Sequence, residues 1–279
     1  MNECKQQQNN SRKRIRLLIF LSALLPVFVI LYATKSADKS SVAIEKKGFQ
    51  KKIFIQGNDT LRYQFFVPKA TDSMAKLPLI LFLHGAGERG NDNEAQAFHA
   101  KKFFGSAEFQ AKHPCFVMAP QCPVKKRWAE IDWSLPKNSQ PPLLSTPLSL
   151  TLTALRSICK EFNIDTNRLY ITGLSMGGFG TWDAITRYPS LFAAAVPVCG
   201  GGDETKAILI KDHPVWAFHG DKDKAVMVQR SRNMIEAIRN AGGNPKYTEY
   251  PGVGHNCWDQ AYSTSEMIEW LFLQNKKKK

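Results

Sequence analysis

A short glycine-flanked segment in the middle of the chain has the residue types and spacing of an activated nucleophile. Gly173-Leu174-Ser175-Met176-Gly177 is a G-x-S-x-G pattern, with an apolar run before it and a helix-forming stretch after it. A strand that turns directly into a helix leaves room only for glycine two residues to either side of the serine. The Ser175 hydroxyl could then attack an acyl carbon, and the first N–H of the helix, on Met176, could bind the oxyanion.

A serine nucleophile needs a base and an acid to activate it. In a parallel sheet, ligands bind at the carboxyl ends of the strands, so polar residues directly after strands are the candidates. His255 follows one predicted strand, and Asp221 and Asp223 follow another. Serine, acid and then histidine is an established chain order for such a triad. The spacing does not decide whether Asp221 or Asp223 is the acid, and Asp203, after the preceding strand, is a further candidate.

The second oxyanion donor is expected in the loop after the apolar run 77–83. This loop reads His84-Gly85-Ala86-Gly87, and its glycines allow backbone amides to turn inward. We expect the N–H of Ala86 to be the donor, with Gly87 as the alternative. His84 is expected to hold the loop in place.

Strands and helices alternate along the chain, which predicts an α/β protein with a mainly parallel sheet flanked by helices. The first two strands are separated by residues 56–60, which predicts an N-terminal antiparallel hairpin at one edge of the sheet. The apolar run 77–83 is typical of a strand that is buried on both faces. The predicted strands are 52–55, 61–67, 77–83, 115–119, 169–171, 192–198, 215–219 and 246–250, and the predicted helices after residue 145 include 146–162, 231–240 and 263–273.

The formal net charge of +14 comes largely from the two ends of the chain. We therefore expect no nucleic-acid partner. A basic cluster at residues 12–16 precedes an apolar run at 17–33, which predicts a signal peptide or N-terminal membrane anchor and export to the periplasm or the exterior. The expected organisation is 1–33 for this segment, 34–48 for a linker, 49–275 for the catalytic domain and 276–279 for a lysine tail.

The cysteines of the main body show no metal-binding spacing, and we expect neither a metal nor a cofactor. Cys199 and Cys257 both follow predicted strands near the site. They are the one pair for which a disulfide is considered.

Several of these motifs together resemble the α/β-hydrolase superfamily, and within it the secreted esterases and predicted peptidases related to polyhydroxybutyrate depolymerases, feruloyl esterases and the prolyl oligopeptidase catalytic domain. The matching segments are 84–90, 119–123, 173–178, 219–223 and 254–255. The resemblance implies the α/β-hydrolase fold and selects Asp223 as the acid. One departure is Val226-Met227, where valine-proline is often found. Dienelactone hydrolases carry a cysteine nucleophile, and Ser175 argues against that chemistry.

The resemblance implies a serine carboxylesterase acting on small or carbohydrate-linked esters. Trp128 and Trp258, with Trp133, could form an aromatic wall for the substrate. In the alternative, Trp258 packs beside the His255 loop and Trp133 caps the insertion. A peptidase of prolyl oligopeptidase type and a non-catalytic envelope binding protein with the same fold are the alternatives.

Overall fold

The computed structural model describes residues 48–69 and 75–276. They lie within one compact unit, Ile44–Lys279. Within these ranges no helix is both long enough and apolar enough to cross a bilayer. The predicted signal or anchor segment 17–33 lies outside the described residues, as do nearly all of the linker and the last three lysines, so those assignments remain predictions.

The described residues contain a single sheet of eight strands. The strands are β1 (Gly48–Gln56), β2 (Asp59–Val67), β3 (Leu77–Leu83), β4 (Phe116–Gln121), β5 (Ile164–Leu174), β6 (Ala194–Val198), β7 (Trp216–Gly220) and β8 (Lys246–Tyr250). Their order is β1-β2-β4-β3-β5-β6-β7-β8. β2 is antiparallel to both β1 and β4, and the remaining neighbours are parallel. The predicted α/β class, with a hairpin at the sheet edge, is confirmed.

Helices cover both faces of the sheet. They are α1 (Phe98–Phe104), α2 (Ala107–Lys112), α3 (Thr146–Glu161), α4 (Met176–Arg187), α5 (Gln229–Asn240), α6 (Trp258–Ser263) and α7 (Ser265–Leu273). The helices α3, α4 and α5 pack on one face, and α1, α2, α6 and α7 pack on the other. The sheet is thus the middle layer of three.

The position of β3 inside the sheet explains why its sequence is apolar throughout. Leu79, Leu81 and Leu83 point into one core layer, whereas Ile80 and Phe82 point into the other, and all five are fully buried. Burying each such side chain contributes about 1.5–3 kcal/mol to folding. A polar residue on either face would lose this contribution. The alternation of apolar and polar residues that is typical of a half-exposed strand is therefore absent here.

Two segments differ from the sequence-based expectation by more than a shift of their ends. The helix predicted at 263–273 is α7, which begins at Ser265, and the sequence analysis missed the helix α6 before it, which meets α7 at Thr264. Thr264 has an extended backbone (φ −77°, ψ 106°), and its hydroxyl donates to the carbonyl of Gln260 at 2.9 Å. This local hydrogen bond offers the backbone an alternative to a continuous helix. The residues 163–167, read as a turn, instead belong largely to β5, which begins at Ile164.

The long insertion between β4 and α3 contains no helix or strand and is held down by polar contacts. The backbone N–H of Gln140 donates to Oδ2 of Asp203 at 2.7 Å. The buried Arg230 guanidinium donates to the carbonyl of Leu135 and to the side chain of Asn138. Asp203, one of the candidate acids, therefore fixes the insertion to the loop after β6.

Candidate active site

Ser175 lies in a strained turn between β5 and α4. Its backbone has φ 54° and ψ −117°, a region that costs a non-glycine residue about 1–3 kcal/mol. A Cβ atom added to Gly177 would lie 1.9 Å from the Leu83 carbonyl oxygen, and one added to Gly173 would lie 2.5 Å from the Gly177 carbonyl oxygen. Both flanking glycines are therefore required by direct backbone contact.

The structure brings Ser175, His255 and Asp223 together from the ends of three strands. The Nε2 atom of His255 lies 2.9 Å from the Ser175 hydroxyl, and its Nδ1 atom lies 2.7 Å from Oδ2 of Asp223. Since a carboxylate only accepts, the proton of the neutral imidazole is assigned to Nδ1 and Nε2 is free to accept from the serine. This is the geometry in which a histidine can act as general base towards a serine.

The Asp223 carboxylate is completely buried and has a donor on each side. Oδ1 accepts the backbone N–H groups of Ala225 at 2.8 Å and Val226 at 2.9 Å. Oδ2 accepts from His255 and, at 3.1 Å, from Nε2 of His219. Burial raises the pKa of Asp223, but the hydrogen bonds from His219, His255 and the backbone outweigh it and hold the pKa well below its usual range. The acid therefore stays ionised beside His255.

Asp221, which the spacing could not separate from Asp223, has a different position. Its Oδ1 atom accepts the N–H of Gly252 at 2.7 Å, and its backbone N–H donates to Tyr250. These contacts tie the loop after β7 to the turn after β8. Asp221 thus supports the loop that carries the histidine, without contacting its ring.

The two predicted oxyanion donors lie after adjacent strands. Met176 opens α4, so its N–H has no intrahelical partner. Ala86 opens a short 3₁₀ helix, Ala86–Glu88, directly after β3. Leu83 of β3 is paired with Gly173 of β5, which brings both loops to the same sheet edge. Their role in binding an oxyanion remains a prediction.

His84 fixes the loop 84–87 by two hydrogen bonds. Its Nε2 atom accepts the N–H of Cys122 at 2.9 Å, and its Nδ1–H donates to the Gly85 carbonyl at 2.6 Å. Burial lowers the pKa of His84 to about 4, so the ring is neutral near pH 7 and can both donate and accept.

Trp128 does not form part of a substrate wall. Its side chain is completely buried, and the indole N–H donates to the His84 carbonyl at 3.0 Å. Trp128 therefore supports the loop 84–87, and an indole without exposed surface cannot contact a substrate. The prediction for Trp128 is corrected accordingly.

Trp258 and Trp133 remain partly accessible. Trp258, in α6, packs edge-to-face on the His255 ring with the ring centroids 5.4 Å apart. Trp133 stacks on Phe179 at 6.3 Å. Trp258 thus lies next to the proposed base, where a bound ester would also lie, and its role in substrate binding remains a prediction.

The two cysteines considered for a disulfide are both free thiols in the structure. Cys199 and Cys257 are fully buried, and burial, together with the neighbouring Cys257 thiol, raises the pKa of Cys199. Cys199, Asp223 and His255 place potential metal ligands within 4.8 Å of one another. However, the last two are already joined by their own 2.7 Å hydrogen bond, so a metal there would have to break the triad.

Sequence reasoning missed His219. It belongs to the motif 219–223, but a single histidine at the end of the apolar run 215–218 gives no indication of its partner. In the structure it is completely buried against Asp223.

Comparisons with known proteins agree with this geometry. A model of the dienelactone hydrolase family matches residues 145–266, which include Ser175, Asp223 and His255. A solved structure of a thermostable esterase superimposes with a TM-score of 0.75 at 42% identity, covering 81% of this chain. The chain has the α/β-hydrolase fold. It spans 63% of the length of that esterase chain.

Sequence relatives of this chain carry esterase names. A probable carboxylesterase SOBER1-like protein of Arabidopsis thaliana is 28% identical over 215 residues, covering 72% of this chain and 79% of the relative. A bifunctional acetylxylan esterase/xylanase, XynS20E, of Neocallimastix patriciarum is 30% identical over 96 residues, covering 33% of this chain and 14% of the relative. The prediction of a hydrolase that acts on ester bonds is confirmed.

Proposed function

We propose that this protein is a serine carboxylesterase that works through an acyl-enzyme on Ser175. The observation that carries the proposal is the hydrogen-bonded series from the Ser175 hydroxyl to His255, at 2.9 Å, and from His255 to Asp223, at 2.7 Å. A serine hydroxyl becomes an effective nucleophile when a neighbouring imidazole can take its proton.

In the acylation step, Oγ of Ser175 attacks the ester carbonyl carbon while its proton passes to Nε2 of His255. The carbonyl oxygen becomes an oxyanion, which the N–H groups of Met176 and Ala86 are proposed to bind. Asp223 stabilises the resulting imidazolium from the Nδ1 side. The tetrahedral adduct then collapses, the ester C–O bond breaks, and the leaving alcohol takes the proton from Nε2.

In the deacylation step, water attacks the acyl carbon and His255 accepts one of its protons. The second adduct breaks the bond to Oγ, which regains a proton from the imidazolium, and the carboxylic acid leaves. Each half of the reaction thus returns His255 to its neutral form with the proton on Nδ1.

We propose small or carbohydrate-linked esters as substrates. The likeness to the acetylxylan esterase/xylanase supports a carbohydrate alcohol. The accessible part of Trp258, packed on the ring of His255, supports contact with a flat acyl group or a sugar ring. The basic cluster at 12–16 and the apolar run at 17–33 support action outside the cytoplasm.

Hydrolysis of p-nitrophenyl acetate tests the proposal. Ser175→Ala should lower kcat by at least about 10³-fold without changing the unfolding midpoint. Ser149→Ala, at an exposed position of α3, is the matched control and should retain full activity. Equal turnover by wild type and Ser175→Ala would refute the proposal. Wild-type cleavage of a peptide p-nitroanilide in preference to the ester would instead indicate a peptidase.

Measuring acetyl, feruloyl and short aliphatic esters side by side then identifies the acyl preference. The proposed carbohydrate specificity is tested with acetylated xylan oligosaccharides as substrates and with de-esterified xylan oligosaccharides as inhibitors. If kcat/KM is no higher for acetylated xylan oligosaccharides than for simple acetate esters, the carbohydrate-linked substrate is refuted while the serine esterase is not.

A further inference from the structure

The Asp223 carboxylate lies between two histidines. On the side away from His255, Oδ2 of Asp223 is 3.1 Å from Nε2 of His219, a residue of β7 with no exposed surface. The same Nε2 atom is 3.0 Å from the Val226 carbonyl oxygen. Both of these partners only accept hydrogen bonds, so Nε2 of His219 must carry a proton.

The other nitrogen of His219 has an equally specific partner. Nδ1 lies 2.7 Å from the hydroxyl of Ser231, in α5, and that hydroxyl also lies 3.0 Å from the Gly200 carbonyl oxygen. Ser231 is fully buried as well. When His219 is neutral, the Ser231 O–H donates to Nδ1. If His219 were protonated, Nδ1–H would donate to Ser231, and the hydroxyl would turn to Gly200.

Rotation of a single hydroxyl therefore keeps the hydrogen bonds of His219 satisfied in both protonation states. In both states Nε2–H points at Asp223. A buried network with all members satisfied is rigid, because any rotation would leave a buried polar atom unpaired.

We propose that His219 is a positioning residue of this site: its Nε2–H fixes Oδ2 of Asp223 in line with Nδ1 of His255. The inference rests on the proposed serine esterase function. Without this donor, Asp223 would still be held through Oδ1 by Ala225 and Val226, but Oδ2 would have His255 as its remaining partner.

Because Oδ2 of Asp223 accepts from two imidazole rings, its negative charge interacts with both His219 and His255. Removing the His219 hydrogen bond would concentrate that charge on His255, whose imidazolium would then persist to higher pH. The other charged groups near His219 are Glu249, its neighbour in β8, and Arg232, which pairs with Glu249 at 2.5 Å. Because Glu249 is paired with Arg232, Asp223 is the carboxylate that accepts from His219.

The test compares His219→Leu, which removes the donor, with His219→Gln, whose side-chain amide can place an N–H near the position of Nε2. Each rate is divided by the concentration of sites that react with a fluorophosphonate, so that misfolded protein does not contribute. We expect His219→Leu to lower kcat about tenfold or more with little change in KM, because a misplaced base slows the chemical step. His219→Gln should recover most of the loss.

The pH profile separates positioning from a purely structural role. In His219→Leu the acidic limb of kcat/KM should move to higher pH, whereas in His219→Gln it should stay near that of the wild type. A structural histidine would change the unfolding midpoint and the fraction of reactive sites but would leave the limb in place. His113→Leu, on the far side of the sheet in the segment after α2, is the control for loss of a histidine.

The inference would be overturned if the acidic limb of kcat/KM in His219→Leu stays at the wild-type pH or moves to lower pH. A kcat per reactive site within twofold of wild type would overturn it as well. Should that variant fail to fold, His219→Asn carries the test, because its shorter side-chain amide can take the place of Nδ1 towards Ser231 but leaves Oδ2 of Asp223 without the donor. It should then move the acidic limb as His219→Leu would. A wild-type protein that neither hydrolyses esters nor reacts with fluorophosphonate would refute the proposed function instead.

Discussion

The Nε2 atom of His255 lies 2.9 Å from the hydroxyl of Ser175, although the two residues are 80 positions apart in the chain. The sheet topology brings them together. Ser175 follows β5 and His255 follows β8, and both strands run in the same direction, so their carboxyl ends lie at one edge. The contact between Ser175 and His255 therefore follows from the parallel direction of β5 and β8.

The identity of the acid can be tested by a pair of substitutions. Asp223→Asn should lower kcat by roughly 10⁴-fold, because an amide cannot accept from four donors and would favour the wrong tautomer of His255. Asp221→Asn should remain within about twofold of wild type, since its side-chain oxygen can still accept from Gly252. Steady-state hydrolysis of p-nitrophenyl acetate measures both. Comparable losses in the two variants would contradict the assignment.

His84 should make the protein sensitive to acid. In the unfolded chain the pKa of a histidine is near 6.5, whereas burial lowers the pKa of His84 to about 4 in the folded state. Between these values the unfolded state binds more protons, so the free energy of unfolding falls as the pH drops from 6.5 to about 4 and then levels off. The full effect is on the order of 3 kcal/mol.

Urea unfolding of wild type and His84→Gln across this pH range isolates the contribution of His84. The variant loses the Nδ1–H donor and should be less stable at pH 7.5, yet its stability should depend less steeply on pH. Parallel pH profiles for the two proteins would show that His84 does not titrate with folding.

The tight turn at Ser175 should not tolerate even a methyl group on Gly177. In Gly177→Ala the new Cβ would lie 1.9 Å from the backbone oxygen of Leu83, an atom that cannot move without disturbing β3. We expect a loss of more than about 3 kcal/mol in the free energy of unfolding, or failure to fold. Gly87→Ala is the control, because it has no neighbour within 4 Å and should change stability by less than about 1 kcal/mol. Equal stabilities would contradict the described turn.

Much of the fold was predictable because it follows from local patterns. The continuous apolarity of 77–83 reflects burial in both core layers, and the glycines at 173 and 177 reflect backbone contacts that exclude a side chain. Ser175, Asp223 and His255 lie one, three and five residues after the ends of β5, β7 and β8, so the order of elements along the chain was enough to suggest that they meet.

The remaining features depend on contacts between distant segments. Spacing could not choose between Asp221 and Asp223, because only the packing of the turn after β8 decides which of them faces His255. Trp128 could not be recognised as buried, since its partner, the His84 carbonyl, lies 44 positions away. The role inferred for His219 depends likewise on α5, which supplies Ser231, and on the loop that returns Asp223 to the strand end.

The central claim is that Ser175 is an activated nucleophile, and covalent labelling tests it most directly. The protein is treated with a fluorophosphonate and the modified peptide is located by mass spectrometry, with Ser175→Ala and His255→Ala in parallel. The account predicts one rapidly formed adduct on Ser175, its absence in Ser175→Ala and strongly slowed formation in His255→Ala. Labelling of wild type that is no faster than that of His255→Ala, or an adduct on another residue, would contradict it.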